Sequence, residues 1–186
     1  YGIYDTSLLL GSTGRLHNSK GFEILIKCVN ELINNQGIKC KLLIAGEGPL
    51  RPHLTRLVNQ LNLSEHLILL GRIFNIEEFL GILDFYIQSS VNEGFPLATI
   101  EALAAKVPVV STDAGGLPEL IEDGKSGIIV NRNSVSCLVN GITKILKKTK
   151  IELNLMVASG YRTACRYSTQ AALEKDIKIY LSLIGY

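Results

Sequence analysis

The run Cys40-Lys41-Leu42-Leu43-Ile44-Ala45 and the segment Gly46-Glu47-Gly48-Pro49 after it indicate the fold of this 186-residue chain. The first run is almost continuously apolar, which is typical of a strand covered on both faces in a parallel sheet. The second segment predicts a turn, because glycine and proline interrupt regular structure. Apolar residues then recur at three- and four-residue spacing, which predicts a helix over residues 50–61. Together they indicate one strand–turn–helix unit of an α/β protein.

The same unit recurs along the chain. We expect residues 7–10 to form the first strand, closed by Gly11, and residues 67–70 to form the third strand, closed by Gly71. The remaining strands are expected at residues 84–88, 108–111 and 127–130, and the last two helices at residues 151–166 and 169–183. The sequence therefore predicts an α/β domain with a doubly wound, parallel, six-stranded sheet and C-terminal helices.

Composition and charge exclude several classes of protein. The 19 basic and 17 acidic residues give a net charge of +2 and are spread along the chain, so the sequence lacks the basic stripe of a nucleic-acid-binding protein. Its apolar runs are far shorter than the roughly 20 residues of a membrane-spanning helix. Four cysteines without Cys-x-x-Cys spacing and three histidines form no zinc-ligand pattern. We expect all four thiols to be reduced and buried, as in a cytoplasmic protein.

The loops after the predicted strands are candidate binding loops, because ligands of open parallel sheets bind beyond the carboxyl ends of the strands. Gly11-Ser12-Thr13-Gly14 does not match the dinucleotide fingerprint, since two residues rather than one separate its glycines. Gly46-x-Gly48 lacks the third glycine, because Arg51 stands there. Gly124-Lys125-Ser126 lacks the upstream glycine of a nucleoside triphosphate loop. Neither of these two phosphate loops is therefore expected.

The segment 93–101, Glu-Gly-Phe-Pro-Leu-Ala-Thr-Ile-Glu, carries a different phosphate-binding pattern. We expect Pro96 to be the first residue of a helix, where its missing N–H costs nothing. The backbone N–H groups of Gly94, Phe95 and Leu97 would then be free at the helix N-terminus. Such an end binds phosphate readily, because its N–H groups and its dipole both favour negative charge.

Charged residues are expected on both sides of this helix N-terminus. Glu93 precedes the helix and Glu101 lies in its second turn, and a carboxylate can accept two hydrogen bonds from a vicinal diol such as ribose. Arg15 and Lys20 follow the first strand and so belong to the same edge of the sheet. They can neutralise a diphosphate whose charge grows as a bond to it breaks. The residues therefore indicate a site for a sugar, a diphosphate and a ribose.

Four groups of residues occur in the order seen in the nucleotide-sugar-dependent glycosyltransferases of family 4: Gly14-Arg15-Leu16 with Lys20-Gly21, Gly46-Glu47-Gly48-Pro49, Glu93-Gly94-Phe95-Pro96 with Glu101, and Gly115-Gly116-x-Pro118-Glu119. Over residues 8–145 the sequence resembles the C-terminal domain of those enzymes, with Ser89 where the family commonly has proline. The resemblance implies a GT-B architecture, in which two Rossmann-like domains face each other across a cleft. The N-terminal domain then binds most of the acceptor.

The resemblance also implies a role for each matched residue. Arg15, Lys20 and Glu93 are the expected catalytic residues: the two cations stabilise the departing nucleoside diphosphate, and the acid contacts hydroxyl groups of the donor sugar. Glu101 would bind the ribose hydroxyls, and the main chain after Gly71 would meet the base. The expected donor-binding residues are Gly14, Arg15, Lys20, Arg72, Glu93, Gly94, Phe95, Pro96, Leu97 and Glu101.

The function implied by the resemblance is donor binding in a retaining glycosyltransferase. Such an enzyme transfers a sugar from a nucleoside diphosphate sugar to a glycan or lipid-linked acceptor, here in polysaccharide or lipopolysaccharide biosynthesis. No metal or other cofactor is expected, in agreement with the absence of an Asp-x-Asp motif. The full-length enzyme is expected in the cytoplasm, including the inner face of the membrane. Two alternatives stay open: a sugar-nucleotide epimerase or phosphorylase of the same fold, and a non-catalytic nucleotide-binding domain.

The chain starts at Tyr1 without methionine, so we expect residues 1–186 to be a C-terminal domain whose N-terminal acceptor domain is absent. Such a domain is expected to bind nucleotide weakly and to transfer no sugar by itself. The last helix is expected to dock on the absent domain through Ile177, Tyr180, Leu181 and Ile184. Four tyrosines are expected to pack against the flanking segments: Tyr4, Tyr161, Tyr167 and Tyr180.

Overall fold

The computed structural model describes residues 7–183, without the side chains of residues 174, 175, 178 and 182. These residues form six strands: β1 (Leu8–Thr13), β2 (Cys40–Ala45), β3 (Leu67–Gly71), β4 (Phe85–Gln88), β5 (Val109–Thr112) and β6 (Ile128–Val130). They also form eight α-helices: α1 (Phe22–Asn34), α2 (Arg51–Gln60), α3 (Ile76–Gly81), α4 (Leu97–Ala104), α5 (Leu117–Leu120), α6 (Val135–Leu146), α7 (Lys150–Cys165) and α8 (Thr169–Leu183).

The strands form one parallel sheet in the order β3-β2-β1-β4-β5-β6. The chain moves outward from β1 to β3 and then returns to add β4 on the other side of β1. In an open α/β sheet, this reversal leaves a crevice at the carboxyl ends of the two central strands, where ligands bind. The predicted fold class, an α/β domain with a doubly wound six-stranded sheet, is confirmed. The crevice lies between the loops that follow β1 and β4.

Apolar side chains cover both faces of the sheet. In β2, which is confirmed at both ends, Leu42 and Ile44 belong to one buried cluster, and Leu43 and Ala45 belong to the cluster on the opposite face. Helices α1, α2 and α6 contribute to the first cluster, and α3 and α4 contribute to the second. Burial on both faces explains why the strand sequences are apolar throughout rather than alternating.

The predicted end of β1 at Gly11 is wrong. The strand continues to Thr13, and Gly11 pairs with Leu43 of β2 and with Tyr86 of β4. A Cβ atom at position 11 would overlap the side chain of Leu83, so the glycine allows this leucine to pack against the sheet. The additional residues carry β1 to the carboxyl edge, where the candidate site lies.

The expectation that all four thiols are buried is correct for two of them. Cys28 and Cys40 are buried in the core, whereas Cys137 is half-buried and Cys165 is exposed. Cys165 ends α7, which buries its neighbour Ala164 against α4 and turns the next position towards solvent.

The expected packing of the tyrosines is wrong for the three that the structure describes. Tyr161, Tyr167 and Tyr180 are all exposed. The centre of the Tyr161 ring lies 4.9 Å from the ammonium group of Lys106, a cation–π contact at the surface. Tyr4 lies outside the described residues. The surroundings of Tyr167 belong to the candidate site.

Helix α8 exposes much of its apolar surface. Ile177, Tyr180 and Leu181 are all exposed, and Ile184 lies outside the described residues. The expected docking of this helix on another domain stays a prediction. Among the helices of residues 7–183, none combines the length and the apolar character that crossing a bilayer requires.

Candidate functional site

The loops that follow the central strands are fastened to each other by backbone hydrogen bonds. The N–H of Gly14, after β1, donates to the carbonyl oxygen of Ala45 at 3.0 Å. The N–H of Val91, after β4, donates to the carbonyl oxygen of Ser19 at 2.8 Å. The hydroxyl of Ser89 donates to the carbonyl oxygen of Lys20 at 2.9 Å. The last two bonds hold the loop with the predicted cations against the loop with the first predicted acid, and the first bond holds it against the end of β2.

Two glycines allow neighbouring loops to approach closely. Gly46 has a φ of 149°, and a Cβ atom there would overlap the carbonyl oxygen of Gly14. Gly115 has a φ of 52°, and a Cβ atom there would overlap the carbonyl oxygen of Glu93. A side chain at either position would push the loops apart, because interiors are too closely packed to absorb the extra atom.

Lys20 and Glu93 form an ion pair at the centre of this edge. The ammonium Nζ of Lys20 lies 2.7 Å from Oε2 and 2.9 Å from Oε1 of Glu93. The lysine side chain is 22% exposed and the glutamate side chain is 8% exposed. The structure therefore brings these two predicted catalytic residues together, with each neutralising the other where water is largely excluded.

A row of buried polar side chains continues from Glu93 into the sheet. The amide Nε2 of Gln88 donates to Oε2 of Glu93 at 3.0 Å and to the hydroxyl of Ser90 at 2.8 Å. Ser90 donates to Oε2 of Glu93 at 2.8 Å. The hydroxyl of Tyr86 donates to Oε1 of Gln88 at 2.8 Å and lies 3.0 Å from Oγ1 of Thr13.

From the sequence, no role at the site was assigned to these four supporting residues, although Ser90 belongs to the candidate loop that follows the fourth strand. A signal was present, because Gln88, Ser89 and Ser90 are consecutive polar residues where an apolar, buried strand ends. Buried polar side chains need hydrogen-bond partners, so such a cluster at the carboxyl edge of a sheet indicates a network of side-chain hydrogen bonds. The sequence pattern gave no means of pairing them with Tyr86 or with Glu93.

Glu101 lies in the second turn of α4, as expected, and is half-buried. Burial raises the pKa of this carboxyl group above its ordinary value. Together with Ile76 and Leu80 of α3, it lines a cleft of about 510 Å³. Burial raises the pKa of the Tyr86 hydroxyl, and the charges of Glu101 and Glu93 act in the same direction.

The start of α4 differs from the prediction in two respects. Pro96 is the N-cap rather than the first helical residue, with φ −84° and ψ 61°. These angles are close to an inverse γ-turn, and the N–H of Leu97 donates to the carbonyl oxygen of Phe95 at 2.9 Å. The expected free amide of Leu97 is therefore wrong. The N–H groups of Gly94, Phe95 and Ala98 have no hydrogen-bond acceptor among residues 7–183.

Phe95 and Tyr167 form an exposed aromatic pair beside this helix start. Their ring centroids lie 6.0 Å apart and the rings are tilted by 60°. Phe95 is 64% exposed and Tyr167 is 43% exposed. Both line a cleft of about 250 Å³ together with Glu119 and Leu120. The cleft adjoins the predicted donor loop on the side of α5.

The two arginines that are expected to bind the donor lie at different places along the carboxyl edge of the sheet. Arg15 directly follows Gly14 at the carboxyl edge, and its exposed side chain makes no hydrogen bond or ion pair with any residue in the described part of the chain. Arg72 follows β3 at the margin of the sheet, and its guanidinium lies 5.6 Å from the centre of the Phe74 ring. At about 4.8 Å per strand, β3 lies roughly 14 Å from β4, so Arg72 is not part of the cluster around Glu93. The described residues contain no group of three His, Cys, Asp or Glu side chains that could hold a metal ion.

Comparison with known proteins agrees with the fold and with the motifs. The family model "Glycosyl transferases group 1" matches residues 1–162. A Campylobacter jejuni N-acetylgalactosamine-N,N'-diacetylbacillosaminyl-diphospho-undecaprenol 4-alpha-N-acetylgalactosaminyltransferase is 34% identical over 141 residues, which cover 75% of this chain and 38% of that protein.

Two solved structures show the same fold. Anabaena Alr3699/HepE in complex with UDP-glucose has a TM-score of 0.84 at 21% identity, over 95% of this chain and 49% of that one. The C-terminal domain of a glycosyl transferase group 1 family protein from Francisella tularensis has a TM-score of 0.76 at 24% identity, over 87% of each chain.

The chain spans about half or less of the length of the curated relatives that it matches. Within that span the fold is the Rossmann-like half of a GT-B glycosyltransferase. The family model covers most of the chain, and the residues that carry its motifs lie at the carboxyl edge of the sheet. This protein chain belongs to the group 1 glycosyltransferases.

Proposed function

We propose that this chain binds the donor in a retaining glycosyltransferase, which transfers a sugar from a nucleoside diphosphate sugar to a glycan or lipid-linked acceptor. The observation that carries the proposal is the Lys20–Glu93 pair, which lies beside the free N–H groups of Gly94 and Phe95 at the start of α4. A cation, an anion and unpaired amides at one point suit a ligand with both phosphate and hydroxyl groups.

Donor binding would exchange the partners of this ion pair. The diphosphate carries more negative charge than one carboxylate, so it competes well for the ammonium group of Lys20. Arg15 has no competing partner in the described part of the chain and can add a second, bidentate contact. Once Lys20 turns to the phosphate, Glu93 can accept a hydrogen bond from a sugar hydroxyl. One movement therefore prepares both halves of the donor site.

The remaining donor contacts follow from the order of the strands. Glu101 in α4 would accept hydrogen bonds from the ribose diol, and its partial burial favours a ligand that brings its own donors. The loop after β3, with Arg72, lies farther along the same edge and would meet the base. An extended nucleoside diphosphate sugar can span this distance of several strands. Solved complexes of similar fold contain UDP and, in one case, UDP-glucose, which supports this choice of ligand.

The chemical step would be favoured by the same cations. The bond between the anomeric carbon and the diphosphate oxygen breaks, and the electron pair goes to the diphosphate. A bond forms between the anomeric carbon and the acceptor oxygen, and the acceptor proton goes to the departing diphosphate. Lys20, Arg15 and the N–H groups of Gly94 and Phe95 would stabilise the charge that develops on the leaving group. Glu93 would hold the sugar during this exchange.

The acceptor and the second domain belong to the same proposal. We expect residues 1–186 to act together with an N-terminal acceptor-binding domain, in the cytoplasm or at the inner face of the membrane. The relative from Campylobacter jejuni is named for a diphospho-undecaprenol acceptor, which supports a lipid-linked acceptor. A Rhizobium leguminosarum relative, 28% identical over 196 residues, is named a lipopolysaccharide core biosynthesis mannosyltransferase, which supports a role in polysaccharide or lipopolysaccharide biosynthesis.

Isothermal titration calorimetry tests the donor site. The chain is titrated with UDP, GDP and ADP and with the glucose conjugate of each. We expect one nucleotide to bind more tightly than about millimolar, and Arg15→Ala to weaken it about tenfold or more, since a charge-assisted hydrogen bond contributes about 1.5–3 kcal/mol. The matched control is Arg56→Ala, which removes an exposed cation from α2. Equal effects of both substitutions, or binding of none of the six ligands, would refute the donor site.

A further inference from the structure

We propose that Gln88 is a positioning residue: hydrogen-bonded to Tyr86 through its oxygen, its amide nitrogen fixes the carboxylate of Glu93 for the donor sugar. The inference rests on the proposed function, because it concerns the same acid. Gln88 belongs to a row of buried polar groups that do not themselves contact the donor in the proposed site. The row runs from Thr13 through Tyr86 and Gln88 to Glu93.

The hydrogen bonds of this row have one consistent direction. The single proton of the Tyr86 hydroxyl goes to Oε1 of Gln88, so the hydroxyl of Thr13 must donate to the tyrosine oxygen. If the amide of Gln88 were reversed, its oxygen would face the carboxylate of Glu93 and the hydroxyl oxygen of Ser90. That arrangement would bring acceptors together at one end of the glutamine. The carboxylate of Glu93 therefore selects this orientation of the amide, and the Tyr86 hydroxyl is compatible with it as the donor to Oε1.

The two oxygens of Glu93 are consequently different. Oε2 accepts hydrogen bonds from Gln88 at 3.0 Å, from Ser90 at 2.8 Å and from Lys20 at 2.7 Å. Oε1 accepts a hydrogen bond from Lys20 at 2.9 Å and from no other residue that the structure describes. When Lys20 turns to the diphosphate, Oε2 keeps two neutral donors and Oε1 becomes free. The carboxylate is thus prevented from rotating and presents one defined oxygen to a sugar hydroxyl.

The surroundings argue against a purely structural purpose. Tyr86, Gln88 and Ser90 are buried, and β4 lies between β1 and β5 in the interior of the sheet. Apolar side chains of similar size along the whole row could fill the same volume, and replacing both partners of a buried hydrogen bond by apolar groups of the same shape is often nearly neutral for stability. Replacing Gln88 alone leaves its partners unpaired and costs stability. The polar row therefore contributes orientation at Glu93 more than it contributes stability.

The test compares the affinity for a nucleoside diphosphate with the affinity for its sugar conjugate. A domain of this fold has been crystallised as an isolated C-terminal domain, and residues 7–183 contain a core on both faces of the sheet, so the 186-residue chain is the material used. The variants are Gln88→Met, which keeps the length of the side chain, and Tyr86→Phe, which keeps the ring. The matched control is Ser126→Ala, which removes a buried hydroxyl that accepts a hydrogen bond from the N–H of Glu122, away from the site.

Each variant is titrated by calorimetry with UDP, GDP and ADP and with the glucose conjugate of each, and its folding is checked by urea unfolding. In Gln88→Met we expect the affinity for the bare diphosphate to change less than about twofold and the affinity for the sugar conjugate to fall about tenfold, because Glu93 contacts the sugar alone. Tyr86→Phe should change the same ratio in the same direction by a smaller factor. Ser126→Ala should leave the ratio unchanged.

The outcomes separate this inference from the proposed function. If the unsubstituted chain binds a sugar conjugate and both variants keep its ratio of affinities, Gln88 does not position Glu93, although the donor site stands. The same conclusion follows if both ligands weaken equally, because that result indicates general loss of structure. If the unsubstituted chain binds none of the six ligands, the proposed function fails and this inference fails with it.

Discussion

Replacing Gly115 by alanine should damage the donor site through the backbone of Glu93. Gly115 has a φ of 52°, and a left-handed conformation costs a residue with a Cβ atom about 1–2 kcal/mol. The new Cβ atom would also overlap the carbonyl oxygen of Glu93 and would lie 2.7 Å from its carbonyl carbon, whereas ordinary contact begins at 3.4 Å. Overpacking of this kind adds about 1–3 kcal/mol. We therefore expect a total loss of about 2–5 kcal/mol in the free energy of unfolding.

The control for this substitution is Gly37→Ala. Gly37 has a φ of 65°, and no atom lies within 4 Å of a Cβ atom placed there. It should therefore lose the backbone contribution alone, about 1–2 kcal/mol. Urea unfolding of both variants measures the stability, and calorimetry with a nucleoside diphosphate sugar measures the site. A shift of Glu93 by about 1 Å should weaken donor binding in Gly115→Ala alone. Equal stability losses and equal affinities in the two variants would refute the close approach of these loops.

Three further predictions concern stability and reactivity. Burial raises the pKa of Glu101 above its ordinary 4.5, so the stabilising contribution of this residue is complete below pH 4.5 and is lost as pH rises through the higher value. Glu101→Gln should therefore be more stable than the unsubstituted chain at pH 7, and urea midpoints that show no pH-dependent difference between the two would contradict this. Burial raises the pKa of Cys40 to about 11, so Ellman's reagent should modify the exposed Cys165 in the folded chain and Cys40 only after unfolding. Modification of Cys40 in the folded chain would contradict its burial in the core. A Cβ atom at Gly160 would lie 2.6 Å from a leucine methyl group of α4, so Gly160→Ala should lower the free energy of unfolding by about 1–3 kcal/mol. A Cβ atom at Gly81 meets no atom within 4 Å, so Gly81→Ala should raise it by about 0.5–1 kcal/mol, and urea unfolding that finds Gly160→Ala the more stable variant would contradict the packing of α7 on α4.

The fold was predictable because its signals are local. A run such as residues 40–45 is apolar at every position, and only burial on both faces accommodates it. The failure at Gly11 has a non-local cause. Glycine ends many strands, but here it provides space for Leu83, which lies more than 70 residues later in the chain. Sequence spacing carries no information on such a contact.

The site was predictable as a set of charges but not as a network. The loops of Lys20 and Glu93 could be assigned to one edge of the sheet, because parallel strands place their carboxyl ends together. Their direct pairing depends on the path of two loops, which no spacing reports. The inverse γ-turn at Pro96, which occupies the amide of Leu97, is another such feature. The role of Gln88 was missed because its partners, Tyr86 and Glu93, become meaningful only when the side chains are placed.

A crystal structure of the chain with its preferred nucleoside diphosphate sugar tests the exchange of partners at this ion pair most directly. We predict that the ammonium group of Lys20 contacts the diphosphate, that the N–H groups of Gly94 and Phe95 donate to the ligand, and that Oε1 of Glu93 accepts a hydrogen bond from a sugar hydroxyl. A ligand bound at another surface, with Lys20 and Glu93 still paired as they are without it, would contradict the proposed donor site.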